Sequence, residues 1–439
     1  MKKHYLIVIL NSLFMIAGSR TVAQEQVTQI DVARLIDSIS LTLKNHYVFP
    51  EKAATIEQHL KKRFRTKAYE GIADPKMLLT ALNNDIRQVH IDGHMGMDYD
   101  PHFASLKQGE LKPTKDEIAQ YELYEKGQNY QFKKVEILTG NIGYLLLNGF
   151  TGDVEGAKSI VLSALQFLAN TRAIIIDLRW NGGGDPEMVS YLEGFFFKEK
   201  KLINTIIDQS GNDTTYYYAD PAKTNGLALD MPVYILTSTL TFSGAEDFSY
   251  GMQNVNRAIV VGETTGGGAH PKKIFLIGQG VRMSIPYARS WNPHTKTNWE
   301  ATGVKPDVPV TADQALPVAQ KAILEGLAKE TEDEGEKRHL NWALNKLIAE
   351  EKPPVPDSLD KLFPSTYTGG LSFYKEGGKL WCKNDELGGN LFQLTFIKDH
   401  LFVLDKNAQV QFDVDETGKP SRIFLLFQNG RIVEKPLID

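Results

Sequence analysis

Between Asp31 and Val89 apolar residues recur at helical spacing in three successive runs, IDVARLIDSISLTLKNHY, EKAATIEQHLKKRF and PKMLLTALNNDIRQV. Each run gathers its apolar side chains on one face, and Pro75 suits a first turn, so three helices are expected. The period breaks at HIDGHMGMDYD, where Asp92-Gly93 calls for a turn. Residues 101–132 are polar and charged and read as a connecting segment.

Beyond this point the pattern changes. KKVEILTG, NIGYLLLNGF, AIIIDLRW, VYILTS and AIVVGE read as strands, with VEGAKSIVLSALQFLAN and PEMVSYLEGFFF as helices between them. IFLIGQGVRMSIPYAR has the form of a hairpin, and DQALPVAQKAILEGLAK, with Asp313 placed to cap it, that of a closing helix. This alternation predicts an α/β fold, a mixed sheet with helices packed on it, over residues 133–330. A helical module and connector (24–132) precede it. After a charged helix and a Pro-rich linker (331–356), residues 357–439 alternate in short segments separated by Gly, Asn and Asp, which predicts a small antiparallel β-domain.

A chain of 439 residues exceeds the roughly 250–300 at which one core stops growing, consistent with several domains. Lys and Arg number 49 against 54 Asp and Glu, for a net charge of −5, and the two signs are interspersed. No basic footprint for nucleic acid results. The N-terminus, MKKHYLIVILNSLFMIAGSRTVAQEQ, has a basic start, an apolar run from Tyr5 to Gly18 interrupted by Asn11, and small residues before Ala23. These are the parts of a cleavable signal over residues 1–23, so a periplasmic or secreted protein without stable membrane insertion is expected. The run is shorter than the roughly 18 residues that a spanning helix needs. Cys382 is the single cysteine, so no intramolecular disulfide can form.

Three separated stretches bear on chemistry. In TFSGAEDF, Ser243 and Glu246 have capping-box spacing. The preceding strand and following helix also put Ser243 at a helix N-terminus, where free amides and the dipole favour a developing anion. Cap and nucleophile are both open readings. In IIIDLRWNGGGDPE, Gly182 to Gly184 end a buried strand before a helix and can turn amides toward a ligand. A plain turn or a phosphate cradle would look similar, but no Gly-Lys-Ser/Thr follows, which argues against a nucleotide P-loop. In VHIDGHMGM, His94 offers an imidazole that ordinarily titrates near about 6.5, suited to a general base. His90 and His94 also have the spacing of a zinc pair. Ile91 stands where the metalloprotease pattern needs Glu, and Gly93 interrupts a shared helical face.

Together these stretches resemble the tail-specific, or C-terminal processing, serine peptidases. TSTLTFSGAE is similar to that family's nucleophile segment, IIIDLRWNGGG to its Asp-Leu-Arg-x-Asn-x-Gly-Gly loop, AIVVGETTGGG to the strand and turn that follow, and GVKPDVPV to its closing segment. The Ser/Lys-dyad branch has a lysine in the turn where this chain reads GETTGGGAHP, with Lys272 arriving only after His270 and Pro271. DGHMGM and YVFPEKA instead resemble the branch of the tricorn core and the interphotoreceptor retinoid-binding protein modules. The resemblance implies a ClpP/crotonase-like peptidase core in which Ser243 is the nucleophile, His94 the base, and Glu300 of WEATGVKPD its support. It further implies an oxyanion hole from the amides of Gly182, Gly183 and Gly244, with no metal or other cofactor. Where the tricorn-like arrangement has a serine beside the histidine, this chain has Gly93 and Met95. A link from Glu300 to His94 would then be direct, through water or through another hydroxyl. Implied partners are peptide or protein substrates, including apolar C-terminal tails, and a histidine base implies a rate that rises with pH through about 6–7. The retinoid-binding relatives imply an alternative, a weakly active or inactive apolar-ligand or peptide-binding protein on the same fold.

Overall fold

The three N-terminal helices form where the apolar period puts them: α1 (Val32–His46), α2 (Pro50–Arg65) and α3 (Pro75–Val89). Asp31 and Asp74 accept amides of the first turns of α1 and α3, and Pro75 opens α3. The computed structural model describes residues 30–106, 113–211 and 213–438, so the signal expected over residues 1–23 lies outside the described residues. Apolar faces of the helices, among them Leu35, Ile39, Ile56 and Leu82, share one core with Met283 and Ile285. After the Asp92 turn comes β1 (Gly96–Tyr99).

The stretch read as a connector contains a further helix, α4 (Lys115–Gly127). Only Tyr121 and Glu125 of it are buried, so its sequence carries no apolar period. Its start was nonetheless written in TKDE: Thr114 and Glu117 close a capping box in both directions.

The alternating region gives β2 (Phe132–Leu138), β3 (Ile142–Leu147), α5 (Val154–Leu168), β4 (Ala173–Asp177), α6 (Pro186–Glu193), β5 (Lys201–Asp208) and β6 (Thr214–Ala219). It continues with β7 (Val233–Thr237), α7 (Gly244–Asn254), β8 (Ala258–Gly262), β9 (Lys272–Gly278), β10 (Val281–Pro286), β11 (Ala288–Trp291) and β12 (Val308–Pro309). The central sheet has the order β12-β8-β7-β4-β3-β2, with β4, β7, β8 and β12 parallel to their neighbours. Every residue of β4 and β7 is buried. Continuous apolar strands of this kind need both faces covered. Leu165 of α5, Leu192 of α6 and Phe248 of α7 belong to the same core as Ile174, Ile176 and Ile235 of the sheet.

Two smaller sheets complete this unit. The expected hairpin is β9 and β10, turning through Gln279 and Gly280 at positive φ, and β1 joins its open edge. A second hairpin, β5 and β6, pairs with β11 and was not anticipated from the sequence.

Described residues up to 137, with 143–315, form one compact unit; residues 138–142 with 316–438 form the other. Into the second run α8 (Ala315–Glu330) and α9 (Glu334–Glu350). It then holds two antiparallel sheets, β13 (Ser365–Tyr367) to β16 (Asn390–Gln393) and β17 (Thr395–Lys398) to β21 (Ile432–Pro436). Phe373, Phe402 and Phe412 stack edge to face in their common core, and Cys382 is buried among them. Among the described residues no helix is long and apolar enough to cross a membrane.

Phe248 is wholly buried and meets the rings of Phe150 and Phe196 at 5.9 and 6.4 Å. Phe248→Ala should destabilise the first unit by about 3–5 kcal/mol. Leu123→Ala, at a side chain that is 71% exposed, should change it by less than about 0.5 kcal/mol. Denaturant unfolding followed through the first unit's transition checks both.

Candidate active site

Strand β7 delivers the chain into a sharp turn before α7, and Ser243 stands at that helix's N-terminus with φ 53° and ψ −118°. A side chain held in this region of φ/ψ costs of order 1–3 kcal/mol and persists only where its surroundings over-determine it. Here the determinant is Glu246. One of its oxygens accepts the Ser243 amide at 2.8 Å and the Gly268 amide at 2.8 Å. The other accepts the Thr265 hydroxyl at 2.5 Å and the Gly267 amide at 2.6 Å. The glutamate half of the capping box is therefore made, while the Ser243 hydroxyl lies 3.1 Å from His94 Nε2.

The Asp-Leu-Arg-x-Asn segment builds the wall opposite Ser243. Asp177, wholly buried at the end of β4, accepts Tyr144 Oη at 2.7 Å and two nitrogens of Arg179 at 2.9 and 2.6 Å. Asn181 Nδ2 donates to the Leu147 carbonyl at 3.0 Å, and its own carbonyl accepts the Phe242 amide at 3.0 Å. These side chains fix loops against one another and reach no reacting atom. Gly183 has φ 99°, and a Cβ there would lie 2.6 Å from the Gly244 nitrogen and 2.7 Å from Ser243 Cβ. Only glycine permits the two loops to approach this closely. The Gly183 amide donates to Asn181 Oδ1 at 2.8 Å, inside the loop. Gly182, Gly183 and Gly244 all line a cavity of about 290 Å³ with Ser243 and His94.

His94 is 8% exposed and its ring lies 4.8 Å from that of Phe242. Nδ1 is buried with no hydrogen-bond partner. Its turn is anchored by Asp92, which accepts the His94 amide at 3.1 Å, Tyr47 Oη at 3.1 Å and His270 Nδ1 at 2.8 Å. Glu300 meets the same histidine, with Oε2 3.3 Å from His270 Nδ1, and accepts the amides of Ala269 at 2.6 Å and Gly93 at 3.4 Å. Glu300 thus holds the residue before His94; no hydrogen bond joins it to the His94 ring. The sequence reading noticed His270 only as a neighbour of Lys272 and gave Asp92 no part beyond the turn. The His270-Pro271 context carries no sign of a partner so distant in sequence.

Electrostatics divide these groups. Burial lowers His94 to about 3, with the charge of Lys272 acting in the same direction, so the resting imidazole is neutral. Burial alone would raise Asp92, but the hydrogen bond and charge of His270 outweigh it and hold the carboxyl below its ordinary range. Glu300 is pushed up to about 7 by burial and by Asp92, against the pull of His270. Asp92, His270 and Glu300 are also a group that could offer three ligand atoms, all within 4.8 Å of one another, to a metal ion. Asp92 and His270 are already hydrogen-bonded to each other, and Glu300 accepts the amides of Gly93 and Ala269. The pair suggested by spacing, His90 and His94, is not such a group: His90 Nε2 is buried without a partner, and His94 Nε2 faces Ser243.

Beyond the glycines the cavity is lined by Asp185, Asp247, Ile206, Tyr217 and Tyr287, none of them anticipated. The alternation in KLINTIID and TTYYYA was the available signal for the hairpin that brings Ile206 and Tyr217 here.

With this geometry in hand, likeness to known proteins takes on meaning. The chain is 31% identical over 172 residues to the chloroplastic carboxyl-terminal-processing peptidase 2 of Arabidopsis thaliana, covering 38% of this chain and 32% of that protein. It is 26% identical over 200 residues to the carboxyl-terminal-processing protease of a Picosynechococcus strain, covering 45% and 44%. The chain therefore spans less than half the length of these curated relatives. The solved photosystem II D1 C-terminal processing protease superposes with a TM-score of 0.42 at 14% identity, over 65% of this chain and 94% of that one. The model of peptidase family S41 matches residues 141–310, and the model of the N-terminal domain of Peptidase_S41 in eukaryotic IRBP matches residues 27–131. Matched in succession along one chain, the two models place residues 27–131 and 141–310 of this protein in peptidase family S41.

Proposed function

We propose that this protein is an exported serine-type peptidase that cleaves peptide bonds through Ser243 with His94 as general base. The observation that carries this reading is the 3.1 Å approach of Ser243 Oγ to His94 Nε2 at the mouth of the cavity. Nε2 takes the hydroxyl proton as Oγ attacks the scissile carbonyl, forming the tetrahedral intermediate, and then gives it to the leaving amine. The resulting acyl-enzyme is released when water, deprotonated by the same nitrogen, attacks the ester. Amides of Gly182 and Gly244, residues that line the cavity, would hold the developing oxyanion, with the α7 dipole behind Gly244. Gly183 serves the hole by letting the loops close. Glu300 supports the imidazolium through charge and through the Gly93 amide. Export rests on the basic and apolar pattern of the first 23 residues, and substrates in that compartment are peptides or proteins.

Ser243→Ala should lower hydrolysis by at least about 10³-fold, and it removes labelling by a fluorophosphonate. His94→Ala should cost a similar factor, and the double variant should be no slower than either single one within about threefold, because the two groups act as a unit. Peptide turnover and labelling of the purified proteins check this; labelling that survives Ser243→Ala removes the nucleophile assignment.

The pH profile follows from the two shifted groups. His94, held neutral down to about 3, is already a competent base in neutral solution, so its own limb falls well below that of an ordinary imidazole. Glu300, pushed up to about 7, loses its carboxylate charge as pH falls through that value. Acidification from about pH 8 to 6 should therefore slow the reaction through Glu300 first. Glu300→Gln should lower kcat/KM by about tenfold or more at the upper end and flatten this interval. An unchanged limb near neutrality in that variant would assign it to another group.

A further inference from the structure

The cavity beside Ser243 carries two carboxyl groups for which the chemistry above has no use. Asp185 is 3% and Asp247 6% exposed, and both line the cavity with Ile206, Tyr217 and Tyr287. They come from the first turns of two helices that flank the nucleophile. Asp185 caps α6, accepting the Glu187 amide at 2.8 Å, while Asp247 sits in the first turn of α7 with Asn204 as its hydrogen-bonding neighbour. Among the described residues neither aspartate has a cationic partner. Lys272 also lines the cavity, but its field falls on His94.

Two buried carboxyls without a cationic partner are expensive. Taking each ion out of water costs several kcal/mol unless an opposite charge accompanies it. Burial accordingly pushes both up to about 7. Helix capping accounts for Asp185, whereas the bond of Asp247 to Asn204 does not call for a charged acceptor. A cavity with apolar sides and two buried acids in its lining matches a side chain with an apolar stem and a cationic head. The stem would lie on Ile206, Tyr217 and Tyr287 and the head would meet the carboxyls. An aliphatic side chain would instead bury both acids against carbon, which a site built on polar groups rejects.

We propose that Asp185 and Asp247 make this cavity a pocket for a lysine or arginine side chain, on the substrate residue whose carbonyl Ser243 attacks. This rests on the serine-peptidase reading and departs from the apolar tails that the family resemblance implies.

The test uses fluorogenic tetrapeptide amides identical except for Lys, Arg, Leu or Ala at the scissile residue. The kcat/KM values for Lys and Arg should exceed those for Leu and Ala by at least about tenfold. Asp247→Asn, and Asp185→Asn, which keeps a capping side chain, should each shrink the Lys-to-Leu ratio by about tenfold or more. The ratio compares substrates on one protein, so a variant that is partly misfolded does not move it. Binding of the same peptides to Ser243→Ala, measured by calorimetry, repeats the comparison without turnover. Tighter binding of the Lys peptide with no cleavage by the unmutated chain would sink the peptidase reading and uphold the pocket. Leu bound and cleaved as well as Lys, or a ratio unmoved by Asp247→Asn, overturns the pocket.

Discussion

The buried Glu246 carboxylate is the interaction on which the site depends. It satisfies four donors, one from the strained Ser243 turn and three from residues 265–268. Neither segment could hold its shape without the other. Ser243 needs an acceptor that fixes its amide at positive φ, and the glycine-rich loop after β8 needs an acceptor for amides that join no ladder. Closure of the two segments also seats Phe242. A Cβ on Gly268 would fall 2.1 Å from its ring, so the glycine leaves the space into which the ring fits. The same ring lies against His94. One carboxylate thus sets Ser243 directly and His94 through an aromatic wedge.

Much of this was legible in local pattern. Helices α1 to α3 and the β9–β10 hairpin follow from apolar period and turn chemistry over a few residues, and the buried β4 and β7 from unbroken apolar runs. Ser243, His94 and the glycine loop stood out because ordered motifs flagged them, and the fold brings the three together. The illegible parts share one cause, which is partnership across long sequence distance. Spacing told of Glu246 reaching back to Ser243 but not of Thr265 or Gly267. Asp92 looked like a turn residue because its bond to His270 spans 178 positions. Helix α4 escaped for a different reason: only Tyr121 and Glu125 of it are buried, so only its cap was written in the sequence.

The Asp-Leu-Arg-x-Asn segment shows how a motif can be diagnostic without being reactive. Asp177 and Arg179 satisfy each other in the interior, and Arg179 also donates to the Ala312 carbonyl at 2.5 Å. Replacing one partner would leave the other charge buried and unpaired, the costlier half of such an exchange. The segment's contribution to chemistry passes through backbone geometry, by way of Asn181 and the Gly183 approach to Ser243.

Charge around His94 is arranged without a carboxylate on its ring, and this shapes how the proposed base would work. A neutral, buried imidazole abstracts a proton readily only if the imidazolium that results is stabilised where it forms. Lys272 and His270 oppose that charge, whereas Asp92 favours it. Asp92 alone is already committed to His270, at 2.8 Å. Glu300, which accepts the Gly93 amide just before His94, stands near about 7 and is divided between states at neutral pH. In the proposed reaction a positive charge on His94 would favour the carboxylate form of this neighbouring acid. Two acids beside one histidine thus end on opposite sides of the ordinary carboxyl range. At Asp92 the bond to and charge of His270 outweigh burial, so it stays ionised and holds the turn near neutrality, whereas at Glu300 burial outweighs His270.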